Sequence, residues 1–328
     1  MTDDSEAGPG LPTEPPTDDG ERLRLLLTCC HPALTRDARV ALTLRLLCGL
    51  STPEVAHVLL VPEPVLAARI ADATRWTGTA AMPLPMPPEA ELPEHVGAAT
   101  EVLHHVFTTG HVAPAGDTLI REDLVDSAID LTRLLHRLLP RQGEVTGLLA
   151  LMLLTDARRE ARLSPTGEVV SLAEQDRSRW DGRRIAEGMA LLAESLRQNP
   201  TGYAVQAGIA AVHAEAASWE DTDWAEIAAL YDVLHGLSPS PVVELNRAVA
   251  IGFRDGPQAG LAALAPLLDA PALATYPYLS AARADFLRRL GRRDEAATAY
   301  EEALAMTGNE VERAFLARRL DEVRPHPR

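Results

Sequence analysis

Adjacent Cys29, Cys30 and His31 set two thiols beside an imidazole, the residue types of a nucleophile with its base or of two metal ligands. Neighbouring cysteines rarely both reach one ion, and Cys48 alone cannot complete a four-ligand zinc set, so the triplet is read as a packed helix end and no metal is assigned. His104 and His105 are followed by His111 and Asp117, the densest imidazole and carboxylate group in the chain. Consecutive helical residues point to different faces, which leaves His105, His111 and Asp117 as acid/base candidates. Arg158, Arg159, Asp176, Arg177, Arg179 and Trp180 form a second constellation, with Asp156 and Asp181 beside it. Its guanidinium forks suit an anion or a small molecule, and the same residues also suit a salt-bridge network packed around Trp180. A third group, His213, Glu215, Asp221, Asp223, Trp224, Asn246 and Arg247, falls at helix junctions and is read as capping and bridging. The sequence has no Gly-rich phosphate loop, no GxSxG and no HExxH, so neither a reaction nor a cofactor is read from it.

These residues must be positioned by helices. Val40, Ala41, Leu44 and Leu47 recur at the spacing of one buried helix face, and Gly49 supplies a stop. Ser51-Thr52-Pro53-Glu54 then places a hydroxyl cap ahead of a proline, opening a short helix with Val55, Ala56 and Leu59 inward. After Leu60-Val61-Pro62 a third helix is expected over 63–77. Two short helices across a tight turn, braced by another, make a helix-turn-helix pattern, whose last helix normally enters the major groove. That helix carries only Arg69 and Arg75 as candidate DNA contacts, offset by Glu63 and Asp72, so DNA binding is expected to be weak or absent.

Prolines punctuate the rest. The expected organisation is a disordered tail over 1–20, the helix-turn-helix unit over 21–78, a Pro-rich linker over 79–93 and a helical domain over 94–200. Within that domain helices are expected over 94–108, 121–139, 143–160 and 183–198, with a turn or small hairpin near 163–172. Tetratricopeptide-like repeats fill 201–328, because helix pairs recur near Gly202, Pro241 and Pro277, and Leu290-Gly291, Ala296, Tyr300 and Ala303 have the small and aromatic spacing of such a pair. The fold class is therefore all-α.

Several stretches together resemble a known family. They include residues 23–34 (LRLLLTCCHPAL), 40–47 (VALTLRLL), 149–154 (LALMLL), 175–181 (QDRSRWD), 209–216 (IAAVHAEA) and 245–250 (LNRAVA). The chain resembles the extracytoplasmic-function (ECF) branch of the sigma-70 RNA polymerase sigma factors, in the group with a tetratricopeptide-like helical extension after region 4. The resemblance makes 21–78 a region 4-like unit. It departs from the family in three places: the residues ahead of Leu23 are not expected to fold as a region 2 domain, the third helix lacks the usual Arg/Lys cluster, and residues 106–111 read VFTTGH where an Asn-Glu-Gly-Tyr sequence is usual.

The resemblance implies a transcription-associated regulatory or interaction protein that does not initiate transcription alone. Its expected partners are RNA polymerase or another protein, engaged through the helical repeats. A second reading takes the departures as repurposing, giving a small-molecule-binding protein or an acid/base lyase, isomerase or cyclase in specialised metabolism. Composition narrows the field: a net charge of −16 repels nucleic acid and anionic membranes, and all 31 basic residues are Arg, as GC-rich coding would give. No signal-like or membrane-spanning run is read, so a cytoplasmic location without membrane partners is expected.

Overall fold

In a computed structural model the protein is described over residues 16–78, 86–198 and 200–324. The expected tail up to residue 15 and the expected linker over 79–85 lie outside the described residues. What is described is all-helical, with isolated bridges in place of strands.

The chain divides into two compact units, one reaching Pro114 and resuming over Ile120–Leu148, the other formed by Ala115–Leu119 and everything from Leu149. The first unit holds α1 (Asp19–Cys29), α2 (Arg36–Leu46), α3 (Thr52–Leu59), α4 (Glu63–Gly78), α5 (Leu92–His111) and α6 (Glu122–Leu138). α1 starts inside the expected tail because the Asp18 carboxylate caps it, accepting from the Glu21 amide at 2.9 Å. At α3 the Ser51 hydroxyl and the Glu54 carboxylate satisfy each other's backbone amides, a capping box that fixes where the helix begins. Gly49 adopts φ +74 after α2, the left-handed turn that a glycine makes without steric cost. α5 packs on α1, α2 and α6, so the expected linker does not separate compact units. Burial of apolar faces decides what packs together, whatever the composition of the stretch between two helices.

α7 (Gly143–Asp156) runs across the division at Leu148. The second unit continues through α8 (Gly182–Gln198), α9 (Gly202–Glu215), α10 (Trp224–Leu237), α11 (Pro241–Asp255), α12 (Pro257–Leu264), α13 (Pro277–Arg289), α14 (Arg293–Met306) and α15 (Glu310–Val323). From α8 onward each helix packs on its successor. The small residues that sequence spacing puts at the α13–α14 contact are inside: Ala296, Tyr300 and Ala303 share a core with Ala284, Leu287 and Leu316. Between α7 and α8, where sequence spacing predicts one helix as far as residue 160, α7 stops at Asp156 and a 3-10 turn covers Arg159–Ala161. The expected hairpin is a tight turn at Ser164–Gly167, closed by a single antiparallel bridge between Leu163 and Val169.

Candidate functional site

The three acid/base candidates do not form one site within either unit. His111 is buried and stacks on Phe107, with ring centroids 5.6 Å apart. His105 is partly buried, and burial, followed by the Arg36 charge, holds its imidazole below the ordinary histidine range. Asp117 is exposed and belongs to the second unit. The Cys29 and Cys30 thiols are buried and pushed up by that burial, Cys30 to about 12, which keeps them protonated and unreactive at neutral pH. Among the described residues no group of three or more His, Cys, Asp and Glu could hold a metal ion.

Next to His105, His104 is depressed to about 4, chiefly by burial; in the second unit His213 is depressed to about 4 by burial, then by Arg158 and Arg177. The unfolded chain takes up these protons near pH 6.5 while the folded chain waits until about pH 4. Each residue therefore contributes stability that is fully present above pH 6.5 and is lost as pH falls towards 4, on the order of 3 kcal/mol apiece. Urea titrations between pH 7 and 4 should show that loss. His104→Gln and His213→Gln should each flatten the profile, and a profile unchanged in both variants would remove the two histidines as its cause.

On α4, Leu66 and Ala73 are buried, whereas Glu63, Val65, Ala67, Ala68, Ala71, Asp72 and Arg75 are exposed. Both candidate DNA contacts are already engaged: Arg69 pairs with Asp37 at 3.2 Å, and Arg75 pairs with Asp72. The exposed face of this helix is thus mixed apolar and charge-balanced.

The arginine constellation splits into three parts. Asp156, 1% exposed, receives both Arg159 donors at 2.8 and 2.9 Å and also pairs with Arg184. Arg177 donates to the carbonyls of His213 and Ala216 and to the Thr222 hydroxyl, and lies over the Trp180 ring at 4.8 Å. Asp176 caps the turn at Arg177–Arg179 through the Ser178 amide, and Arg179 is exposed. Arg159, Asp176, Arg177 and Trp180 are thereby committed to holding the structure. Of the six ligand candidates, Arg158 lines a cavity.

That cavity measures about 280 Å³ and lies wholly within the second unit. Several elements build it. Asn309, fully buried, caps α15 by accepting from the Val311 and Glu312 amides and donates to the Thr118 carbonyl at 2.8 Å. Together with the Glu310 amide, which donates to the Gly116 carbonyl at 2.8 Å, this side chain brings Leu119 and the first turn of α15 to the same wall. Arg318 on α15 binds Glu168 and the Val169 carbonyl, and Arg319 binds Glu174, so the 164–167 turn and its flanks are held against that helix. Arg158 and Arg162 both line the cavity. Burial lowers Arg158 to about 10; burial and then repulsion from Arg158 lower Arg162 to about 9, and both stay cationic at neutral pH. Tyr278 donates to Glu312 at 2.7 Å, and burial raises the Glu312 carboxyl. Sequence reading misses Arg162, Tyr278 and Glu312. Arg162 is within its reach, as the next arginine after Arg158-Arg159, but the two others arrive from helices more than a hundred residues away.

These features define an all-helical protein with an exposed, charge-balanced helix face in one unit and a basic cavity in the other. Residues 95–196 match a family of unknown function (DUF6596). Over 306 residues the chain is 41% identical to the uncharacterized protein R00370 of Rhizobium meliloti (strain 1021), an alignment covering 93% of this chain and 72% of that protein. The chain belongs to the family of that protein. Among the described residues no helix is long and apolar enough to cross a membrane.

Proposed function

We propose that the protein is a transcription-associated regulatory or interaction protein of the ECF sigma type, whose first unit docks on RNA polymerase or a polymerase-bound partner. The observation that carries this reading is the run α2, α3 and α4, in which a capped short helix leads across a tight turn into a helix buried along Leu66 and Ala73 and open on its other side. This run supports a helix-turn-helix reading in which the last helix offers its open side to a macromolecule. The charge balance at Arg69 and Arg75 favours a protein surface over a phosphate backbone. Helix pairs with small residues at their contacts, as in α13 and α14, support tetratricopeptide-like repeats and a second protein-binding surface.

Purified core RNA polymerase immobilised and titrated with the full chain tests the proposal. Saturable binding is expected, weakened about tenfold or more by Val65→Glu with Ala68→Glu on α4, while duplex DNA alone binds feebly. Absence of polymerase binding, or binding that ignores both substitutions, would overturn it.

A further inference from the structure

We propose that the second-unit cavity is a binding site for a small organic acid, its anionic head held by Arg158 and Arg162 and its apolar body by Leu119, Val169, Phe315 and Leu316. The inference does not depend on what α4 binds. Four observations carry it.

First, the charge in the cavity is unbalanced. Two guanidiniums and one carboxylate, Glu312, line it; Glu312 accepts the Tyr278 hydroxyl and attracts Arg162, which leaves the charge of Arg158 in excess. Second, Arg158 has no carboxylate partner among the described residues, although ion pairs engage Arg159 and Arg184 close by. Arg162 is 9% exposed and close enough to Arg158 for their charges to repel. Like charges brought together away from water are costly unless an anion joins them, and a guanidinium fork matches a carboxylate with two parallel hydrogen bonds. Third, the remaining lining is mostly apolar, which suits a ligand with a hydrocarbon body rather than a bare inorganic anion. Fourth, the walls are fixed: Asn309, Arg318 and Arg319 tie the lining segments together before any ligand arrives, so little ordering cost remains for binding. The volume of about 280 Å³ restricts the ligand to a small acid, at the lower end of the range for ligand pockets.

The probes are phenylacetate, its neutral isostere phenylacetamide, and inorganic phosphate, each titrated calorimetrically into the full chain, with thermal unfolding as a second readout. Phenylacetate is expected to bind saturably below about 10 mM and to raise the unfolding temperature. Phenylacetamide and phosphate should each bind at least about tenfold more weakly, one lacking the charge and the other the apolar body. Arg158→Gln should weaken phenylacetate roughly 10- to 100-fold, and Arg158→Lys should recover part of the loss as a point charge without the fork. Should Arg158→Gln fail to fold, Val169→Trp beside the exposed turn fills the cavity with both arginines in place, and it should abolish binding. The proposal is overturned by no saturable phenylacetate binding, by equal affinity for the amide or for phosphate, or by phenylacetate affinity that survives Val169→Trp. Polymerase binding through α4 is read in a separate assay, so either proposal can fail without the other.

Discussion

Asp156→Ala is expected to destabilise the second unit by about 3–5 kcal/mol, or roughly 6–20 °C in Tm, because it removes a carboxylate, 1% exposed, that both donors of the Arg159 fork and Arg184 share. Arg159 grips both oxygens with its fork and Arg184 adds a second cation from α8, so the carboxylate joins the end of α7 to the start of α8. The magnitude follows from what is left behind. Removing an exposed partner would cost well under about 1 kcal/mol, since water replaces it, but here the lost carboxylate is buried and the Arg159 side chain it holds is only 11% exposed. Asp156→Asn should fall between wild type and Asp156→Ala, keeping shape and one acceptor while losing the charge. Chemical denaturation of the three proteins decides it, and a loss below about 1 kcal/mol for the alanine variant would show that the arginines find other partners. The same substitution should weaken the cavity, because Arg158 and Arg162 follow directly on the helix end that Asp156 anchors.

Packing gives the second large effect. Gly252 on α11 and Gly260 on α12 both lie against Phe286 of α13, and a Cβ on either would come within 2.2 and 2.4 Å of the ring. Phe286 is 1% exposed and packed on every side, so the ring cannot swing away. Gly252→Val should therefore cost about 3 kcal/mol or more, and Gly252→Ala about 1–2 kcal/mol. Helix propensity works in the opposite direction, favouring alanine over glycine by about 0.5–1 kcal/mol, so a net loss for Gly252→Ala means the clash prevails. The double variant Gly252→Ala with Phe286→Leu checks the cause: its loss should be smaller than the sum of the two single losses, because the added methyl occupies space vacated by the ring. Strict additivity would place the strain elsewhere.

Helix starts are written in short stretches of sequence. Ser51, Pro53 and Glu54 announce the start of α3, and Pro241 and Pro277 mark the starts of α11 and α13, because caps and prolines act on the backbone within a few residues. The buried face of α13 and α14 follows from the spacing of Ala296, Tyr300 and Ala303. The limits of such reading are also local. A carboxylate cap at Asp18 extends α1 into the expected tail, and α7 gives way to a 3-10 turn after Asp156. Both depend on which side chain finds a partner, and spacing alone does not reveal that.

Within the arginine constellation, sequence collects the residues but does not sort them. Arg158 and Arg159 are adjacent and chemically identical, yet one is clamped by Asp156 and the other lines a cavity, because successive residues at a helix end point in different directions. It is Arg159 that Asp156 holds and Arg158 that faces the cavity. Tyr278 and Glu312 reach that cavity only through the α13–α15 packing and the Asn309 tie. Sequence by itself determined the all-helical fold and most helix starts, since periodicity, caps and prolines are properties of neighbouring residues. Tertiary structure alone decided which arginines are neutralised and which face a cavity, since charge pairing depends on distances between residues far apart in the chain.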